Sequence, residues 1–466
     1  MESASFRLHE CPELGERYYE TRHPSGLRIL VCPKDMSTAY AALGVPCGSF
    51  DRARGEPAGV AHFLEHKMFE TARGGDAETA FAALGAEVNA YTTYDRTVYL
   101  FSCTEGRAGS FDRALGALLR MVSGLHITPD SVRRERRIIR EEIRMGADDP
   151  WEVCANLLLR SLYRSHPIRG DICGTEASVG RITAEILHTA FSARYDRGGM
   201  TLAVCGQVTP EQVLAAVDAC PGLARKPGGQ GGTLPAPRPV REPAAVCRER
   251  AVRDMRQVTD GTHPGAGASA SKPVFSLGIK DADIPPDPRG MLRRDLCMCI
   301  LSEMRFSCSE DFYNGLYESG LVTPGVSYGT SIGRGYAFYD FTGESDDPDA
   351  VYRAFLACVD RLTREGLSRA AFERSRRIQY ADYVTGFDST ESIGGSLLSY
   401  AMDGLSLFDF LPTAASITFE EVEALSARGS TRWRWYIRLK HRGIPHIASY
   451  QGSTEETRSK LYGSHS

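Results

Sequence analysis

The sequence predicts an α+β fold of two related domains, each a mostly antiparallel sheet with helices packed on one face. Three observations support this prediction. The chain of 466 residues is too long for one ordinary hydrophobic core. A Gly/Pro-rich stretch, residues 221–243, lacks any apolar periodicity, as linkers do. The same order of strand and helix patterns occurs on either side of it. We therefore expect domains at residues 1–220 and 244–466, joined by a linker at residues 221–243.

Five residues of the first half recur in the second half at a fixed offset of 240 positions (376 − 136). They are Arg136, Arg137, Ile138, Gly146 and Asp148, which correspond to Arg376, Arg377, Ile378, Gly386 and Asp388. Internal duplication is the economical explanation. Coincidence in an arginine-rich chain is the alternative.

The elements follow in a similar order in each half. Period-two alternation predicts strands within residues 88–102 and 322–342. Amphipathic periodicity then predicts helices at residues 111–124 and 350–366. Each of these is followed by a longer predicted helix, which in the first half spans residues 131–146. A later helix begins near Thr183 and near Thr418. Residues 435–440 alternate like a strand, but the basic stretch from Arg428 is unusual and leaves the end of the second domain open.

The composition is that of a soluble globular protein, with 42% hydrophobic and 24% charged residues. A net charge of −4 gives no reason to expect a nucleic acid or an anionic membrane as partner. No apolar run approaches the roughly 18 residues that span a bilayer, and the N-terminus lacks the features of a secretory signal. Most of the 13 cysteines are expected to be reduced and buried. These features together favour a cytoplasmic location.

The segment Gly59–Glu70, GVAHFLEHKMFE, carries the most specific pattern. On a helix, His62 and His66 share a face and Glu65 lies beside them. Two imidazoles at this spacing can hold one zinc ion, and a carboxylate between them can reach a water bound to the metal. The alternative is an amphipathic helix with incidental His and Glu residues, so the zinc hypothesis needs a third ligand.

The helix predicted at residues 131–146 offers that ligand. With about 100° per residue, Glu135 and Glu142 lie about 20° apart on one face. This face also carries Ile138, Ile139 and Met145, whereas the opposite face carries Arg133, Arg137, Arg140, Glu141 and Arg144. Glu142 is therefore expected to point inward, and we predict it, rather than Glu141, as the third ligand. Glu135 either orients a ligand or holds the attacking water, or it is a first-turn glutamate favoured by the helix dipole.

The His-x-x-Glu-His order is the inverted zincin signature, and its surroundings resemble the insulinase/pitrilysin family of metallopeptidases. Within that family, the chain is most similar to half-length bacterial members and to mitochondrial processing peptidase. The resemblance rests on residues 59–70, 89–92, 95–99, Glu135, Glu142-Ile143 and 148–151. Glu142 follows His66 by 76 positions (142 − 66), which fits the family.

The resemblance implies that His62, His66 and Glu142 bind one Zn²⁺ per chain with a fourth position left open. It also implies that Glu65 is the general base for a water activated by zinc. Asn89 and Ala90, on a strand after Gly85, would pair with an extended substrate, although an ordinary strand end is the alternative reading.

The second half lacks the zinc motif. Residues 297–306, CMCILSEMRF, contain no His-x-x-Glu-His, and Asp382 corresponds to Glu142. By the resemblance, this half forms the opposite wall of a substrate chamber. The chain would pair with itself as a homodimer, or with a paralogue that lacks the zinc motif as a heterodimer.

These expectations describe a zinc-dependent endopeptidase or oligopeptidase that hydrolyses unstructured peptides. One alternative is a scaffold or binding subunit that retains zinc but performs no physiological proteolysis. A structural zinc protein is a second alternative, but it requires four protein ligands. The sequence offers only the three named above.

Overall fold

The computed structural model describes residues 5–71, 76–104, 109–220, 222, 250–254, 272–432 and 435–440. The predicted linker at residues 221–243 lies outside these residues, apart from Gly222. The domain limits at 220 and 244 therefore remain predictions. Among the described residues, no helix combines the length and the apolar character needed to cross a membrane.

The first half contains strands β1–β7 and helices α1–α8. The strands are β1 (Arg7–Cys11), β2 (Glu16–Arg22), β3 (Arg28–Pro33), β4 (Thr38–Val45), β5 (Ala86–Thr92), β6 (Thr97–Thr104) and β7 (Thr201–Gly206). The helices are α1 (Val60–Met68), α2 (Ala77–Ala82), α3 (Ser110–Ser123), α4 (Pro129–Asp148), α5 (Pro150–Leu162), α6 (Glu176–Val179), α7 (Ala184–Arg194) and α8 (Pro210–Asp218).

The second half repeats this plan. Its strands are β8 (Arg250–Asp254), β9 (Val274–Lys280), β10 (Ser327–Gly333), β11 (Tyr336–Glu344) and β12 (Trp435–Lys440). Its helices are α9 (Pro288–Phe306), α10 (Asp311–Glu318), α11 (Pro348–Glu365), α12 (Arg369–Thr385), α13 (Thr390–Met402), α14 (Phe410–Ser416) and α15 (Phe419–Arg432). Short 3₁₀ turns lie at Pro167–Arg169, Gly386–Asp388 and Leu407–Asp409.

Each half is built on one mostly antiparallel sheet, so the predicted fold class is confirmed. The first sheet has the strand order β1-β2-β3-β7-β4-β6-β5, in which β3 and β7 are parallel. The second has the order β10-β11-β9-β12-β8, in which β12 and β8 are parallel. The strand predicted at residues 435–440 is confirmed as β12. Residues 435–440 belong to the second sheet, because β12 lies between β9 and β8.

The two faces of the first sheet contact helices from different halves. Alternate residues of a strand point to opposite faces. Ile29 and Val31 pack with helices of their own half, including α1, α3 and α7. Leu30 and Cys32, which point the other way, pack against Leu398 and its neighbours on α13 of the second half. On the first sheet, the contacting helices of the same half therefore lie on one face, and a helix of the second half covers the other face.

The second sheet receives α5 from the first half in the same manner. Leu158 of α5 packs with Val274 and Phe338 of the second sheet. Leu158 and Leu398 are 240 positions apart (398 − 158), the offset of the sequence repeat. A glycine makes room at each crossing. A Cβ on Gly278 would lie 2.8 Å from Leu158 Cδ1, and one on Gly44 would lie 3.2 Å from Leu398 Cδ1. The halves thus exchange helices at equivalent places.

Candidate metal centre

Helix α1 presents three polar side chains from a largely buried segment. His62 is 7% exposed and Glu65 is 8% exposed, and the ring centroids of His62 and His66 lie 4.6 Å apart. The helix begins after Gly59, which has a φ of 90°. A side chain there would be strained and would also collide with the carbonyl oxygen of Cys173. Glycine therefore permits the start of α1 to approach this loop closely.

Glu142 of α4 lies opposite both imidazoles. Its Oε1 is 3.6 Å from His62 Nε2, and its Oε2 is 3.4 Å from His66 Nε2. These separations exceed the about 2.7–3.2 Å typical of N–H···O hydrogen bonds. Two ligand atoms, each about 2.1 Å from a tetrahedral zinc ion, are about 3.4 Å apart. Each imidazole nitrogen therefore lies at a ligand-like separation from the Glu142 carboxylate, and the ligand atoms that all lie within 4.8 Å of one another are those of His62, Glu142 and Cys173, a group that does not include His66. Glu141 points elsewhere and pairs with Arg144 at 2.6 Å.

The surroundings of Glu142 differ from the sequence prediction. Glu142 is 45% exposed, and Ile138 and Met145 are 56% and 71% exposed. Only Ile139, at 1%, is buried as predicted. The core-facing line of α4 runs through Val132 and Ile139, and at about 100° per residue Glu142 lies about 60° from it. The prediction that this face is buried was wrong for Ile138 and Met145. Glu142 lies at the border between the buried and the exposed sides of α4.

Glu135 contacts the far side of His66. Its Oε1 lies 3.0 Å from His66 Nδ1, and its Oε2 lies 3.4 Å from Lys67 Nζ. A hydrogen bond at Nδ1 fixes the ring so that Nε2 faces Glu142, as carboxylates next to metal-binding histidines do. Helix α4 begins at Pro129, so Glu135 lies beyond its first turn, where the helix dipole has little effect. This geometry favours the orienting role for Glu135.

Burial and the neighbouring carboxylates act in opposite directions on the pKa values of the two histidines. Burial lowers the pKa of His62. Burial also opposes the charged form of His66, but contacts with Glu135 and Glu142 outweigh it and raise the pKa of His66 to about 10. Burial raises the pKa of Glu135, yet His66 and Lys67 hold that pKa below its usual value overall. The site therefore favours a positive charge between its carboxylates, which a dication would supply.

Strand β5 brings a further residue to Glu65. Thr92 Oγ1 donates a hydrogen bond of 2.5 Å to Glu65 Oε2. Strand β5 is the last strand of the first sheet in the part of the chain that the structure describes. Asn89 and Ala90 lie on it, and Asn89 Oδ1 accepts the Ala90 N–H at 2.8 Å. Thr92 could not be related to Glu65 from the sequence, because nothing in the spacing of the two residues connects them.

Cys173 is a second neighbour that the sequence analysis did not identify. Its Sγ lies 3.9 Å from His62 Nε2. One ligand atom each from His62, Glu142 and Cys173 lie within 4.8 Å of one another. Cys173 follows Glu142 by 31 positions (173 − 142) in no recognised metal-binding spacing, so only the fold reveals the proximity.

Comparison with known proteins identifies the family. The profile of the insulinase family (peptidase family M16) matches residues 30–176, and that of the M16 inactive domain matches residues 181–379. The "Uncharacterized zinc protease YmfH" of Bacillus subtilis (strain 168) is 30% identical over 425 residues, covering 89% of this chain and 94% of that protein. The chain belongs to the M16 insulinase family.

Other M16 proteins resemble the chain in sequence or structure. The "Probable mitochondrial-processing peptidase subunit beta" of Schizosaccharomyces pombe is 28% identical over 266 residues, covering 53% of this chain and 56% of that protein. The crystal structure of an M16-like peptidase from Alicyclobacillus acidocaldarius superposes with a TM-score of 0.79 and 26% identity, covering 94% of this chain and 99% of that one. The resemblance noted in the sequence is thus confirmed at the level of family and fold.

Proposed function

We propose that this M16 protein is a zinc-dependent endopeptidase or oligopeptidase that hydrolyses unstructured peptides. The observation that carries the proposal is the position of the Glu142 carboxylate at ligand-like separations from both His62 and His66, with Glu65 and an edge strand nearby. Relatives named zinc proteases support the same class of activity. The proposed ligands hold one Zn²⁺ per chain.

The residues around the ion have distinct tasks in this proposal. A bound zinc ion supplies Lewis acidity, which lowers the pKa of water and polarises the scissile carbonyl. Glu65, held by Thr92, accepts the proton of the attacking water and then delivers it to the leaving amine nitrogen. Glu135 acts through His66 by fixing the orientation of its imidazole.

The open edge of β5 accounts for the class of substrate. The Ala90 N–H donates a hydrogen bond to Asn89 Oδ1. A substrate strand that pairs with β5 can replace this side-chain acceptor with one of its own carbonyl oxygens. Pairing through the main chain requires an extended peptide and gives little sequence preference. Unstructured peptides meet this requirement, because folded segments have already paired their backbone groups.

The remaining proposals concern assembly and location. The second half forms the opposite wall of the chamber, and the chain pairs with itself or with a paralogue that lacks the zinc motif. The Schizosaccharomyces pombe relative is named as a subunit, which supports pairing. We place the protein in the cytoplasm. The cysteines of the described residues are all free, which fits a reducing compartment.

The test of the mechanism compares wild type with Glu65→Gln on a panel of unstructured peptides, with zinc content measured in both. We expect equal zinc and a kcat about 10²–10⁴-fold lower in the variant. Equal hydrolysis by both proteins would remove Glu65 from the mechanism. No hydrolysis by zinc-loaded wild type, alone or with a copurified partner, would favour the scaffold alternative.

The ligand assignment has its own matched pair of variants. Glu142→Ala should lose zinc, whereas Glu141→Ala, one position along the same helix, should retain it because Glu141 pairs with Arg144 instead. The reverse result would show that the carboxylate was chosen wrongly.

A further inference from the structure

Cys173 differs from the other cysteines that lie near the first sheet. Cys47, Cys103 and Cys205 are buried members of the hydrophobic clusters. Cys173 is only half-buried and belongs to none of the clusters formed by the described residues. The expectation of a buried, small hydrophobic residue therefore does not describe it. Its sulfur instead faces His62 Nε2 at 3.9 Å.

The loop that carries Cys173 is held in place on both sides of the thiol. The backbone N–H of Cys173 donates to Asp171 Oδ1 at 2.9 Å, and Asn156 Nδ2 donates to Asp171 Oδ2 at 3.1 Å. The next residue, Gly174, has a φ of 81° and lies against the backbone of Ala58. The position of the sulfur is therefore set by anchored backbone on either side of it.

The separations suit coordination of the same ion by sulfur. Zinc binds cysteine sulfur at about 2.3 Å and histidine nitrogen at about 2.1 Å, so the two atoms are about 3.6 Å apart on a tetrahedral ion. The observed distance from Cys173 Sγ to His62 Nε2 is 3.9 Å. A Glu142 carboxylate oxygen completes a triangle with sides of at most 4.8 Å. On a tetrahedral ion the three atoms would lie about 3.4–3.6 Å apart, so this triangle contracts on coordination.

We infer that Cys173 is a fourth, displaceable protein ligand of the zinc ion and closes the metal centre when no peptide is bound. This inference rests on the proposed function, because it concerns the ion held by His62, His66 and Glu142. On coordination the thiol loses its proton to solvent and a zinc–sulfur bond forms. Before peptide hydrolysis the zinc–sulfur bond would have to break, with the thiolate regaining a proton from solvent and water taking its position, so the closed centre would be a latent form. The contact of 3.9 Å also permits a simpler role, in which the thiol only donates a hydrogen bond to His62.

Cobalt substitution distinguishes these roles without any assay of activity. The full chain, freed of metal and loaded with Co²⁺, should show the near-ultraviolet absorption of thiolate-to-cobalt charge transfer. Cys173→Ser should lose this band, and Cys173→Ala provides a second variant in case serine disturbs folding. Cys299→Ser is the matched control, because Cys299 is also half-buried. It lies in the second half, where its thiol is hydrogen-bonded to the hydroxyl of Thr330. The control should keep the band.

The outcomes separate this inference from the proposed function. A wild type that binds Co²⁺ without the band, or a Cys173→Ser protein that keeps it, would overturn the thiolate ligand and leave the peptidase proposal intact. Loss of zinc by Glu142→Ala with no peptide hydrolysis by wild type would instead count against the peptidase proposal, whatever the spectrum shows. A band that disappears only in the Cys173 variants supports the closed centre.

Discussion

Glu135→Gln isolates the contribution of the carboxylate behind His66. The substitution keeps the size of the side chain and one oxygen acceptor, but removes the negative charge. The bond of 3.0 Å to His66 Nδ1 then becomes a neutral one, which is roughly half as strong. Loss of such an outer contact lowers metal affinity about 10–100-fold, which corresponds to about 1.4–2.7 kcal/mol. We expect zinc binding by Glu135→Gln to weaken by this amount.

The fold should tolerate the change. Lys67, which is 3% exposed, loses a charged partner at 3.4 Å but keeps its ion pair with Glu70 at 2.6 Å. We expect the free energy of unfolding of the metal-free chain to fall by about 1–3 kcal/mol, because the negative charge beside His66 and Lys67 is lost while the folded arrangement keeps its other contacts. An affinity loss caused by general unfolding can thus be recognised separately, by chemical denaturation of the metal-free protein.

The assay is a competition titration in which a chelator of known affinity removes zinc from wild type and variants. Glu141→Gln is the matched control, since Glu141 is 63% exposed and pairs with Arg144 on the solvent side of the same helix. It should bind zinc as wild type does. Unchanged zinc affinity in Glu135→Gln, or an equal loss in both variants, would refute the orienting role.

Two further predictions concern the fold. Leu398→Ala should lower the free energy of unfolding, measured by urea denaturation, by about 2–5 kcal/mol, because Leu398 is 2% exposed where α13 crosses the first sheet. Leu8→Ala is the control, because Leu8 is 44% exposed, and it should lower the free energy of unfolding by about 0.5 kcal/mol or less. Burial raises the pKa of Asp340 to about 7, above its value of about 3.9 in unfolded chains. Between these two pH values the native state binds more protons than the unfolded state, so its stability falls as the pH rises. Asp340→Asn should therefore raise the melting temperature above about pH 7 but not near about pH 4, and a gain independent of pH would contradict this.

The parts of the site that were predictable depend on local periodicity. Helical spacing places His62, Glu65 and His66 together, and it separates Glu142 from Glu141 because adjacent residues differ by about 100°. The same reasoning could not tell how far around α4 the core extends. Ile138 and Met145 are apolar and fall within the predicted stripe, yet they are exposed.

The rest of the site arises from contacts between distant segments. Thr92 reaches Glu65 because β5 packs beside α1, and Cys173 reaches His62 because its loop lies against Gly59. Neither contact leaves a pattern in the sequence around it. The helix exchange was missed for the same reason. An apolar stripe on α5 shows that the helix packs on something, but does not show which sheet it packs on.

The helix exchange links the second half to the metal site. Asp149 ends α4, and its Oδ1 accepts the N–H of Trp151 at the start of α5, so the two helices meet without an intervening loop. Helix α5 is packed on the second sheet, where Leu158 lies against Gly278. Helix α4 carries Glu142, and helix α1, also in the first half, carries His62 and His66. The second half therefore fixes the end of the helix that supplies the carboxylate, and it contributes to the geometry of the site although it lacks the zinc motif.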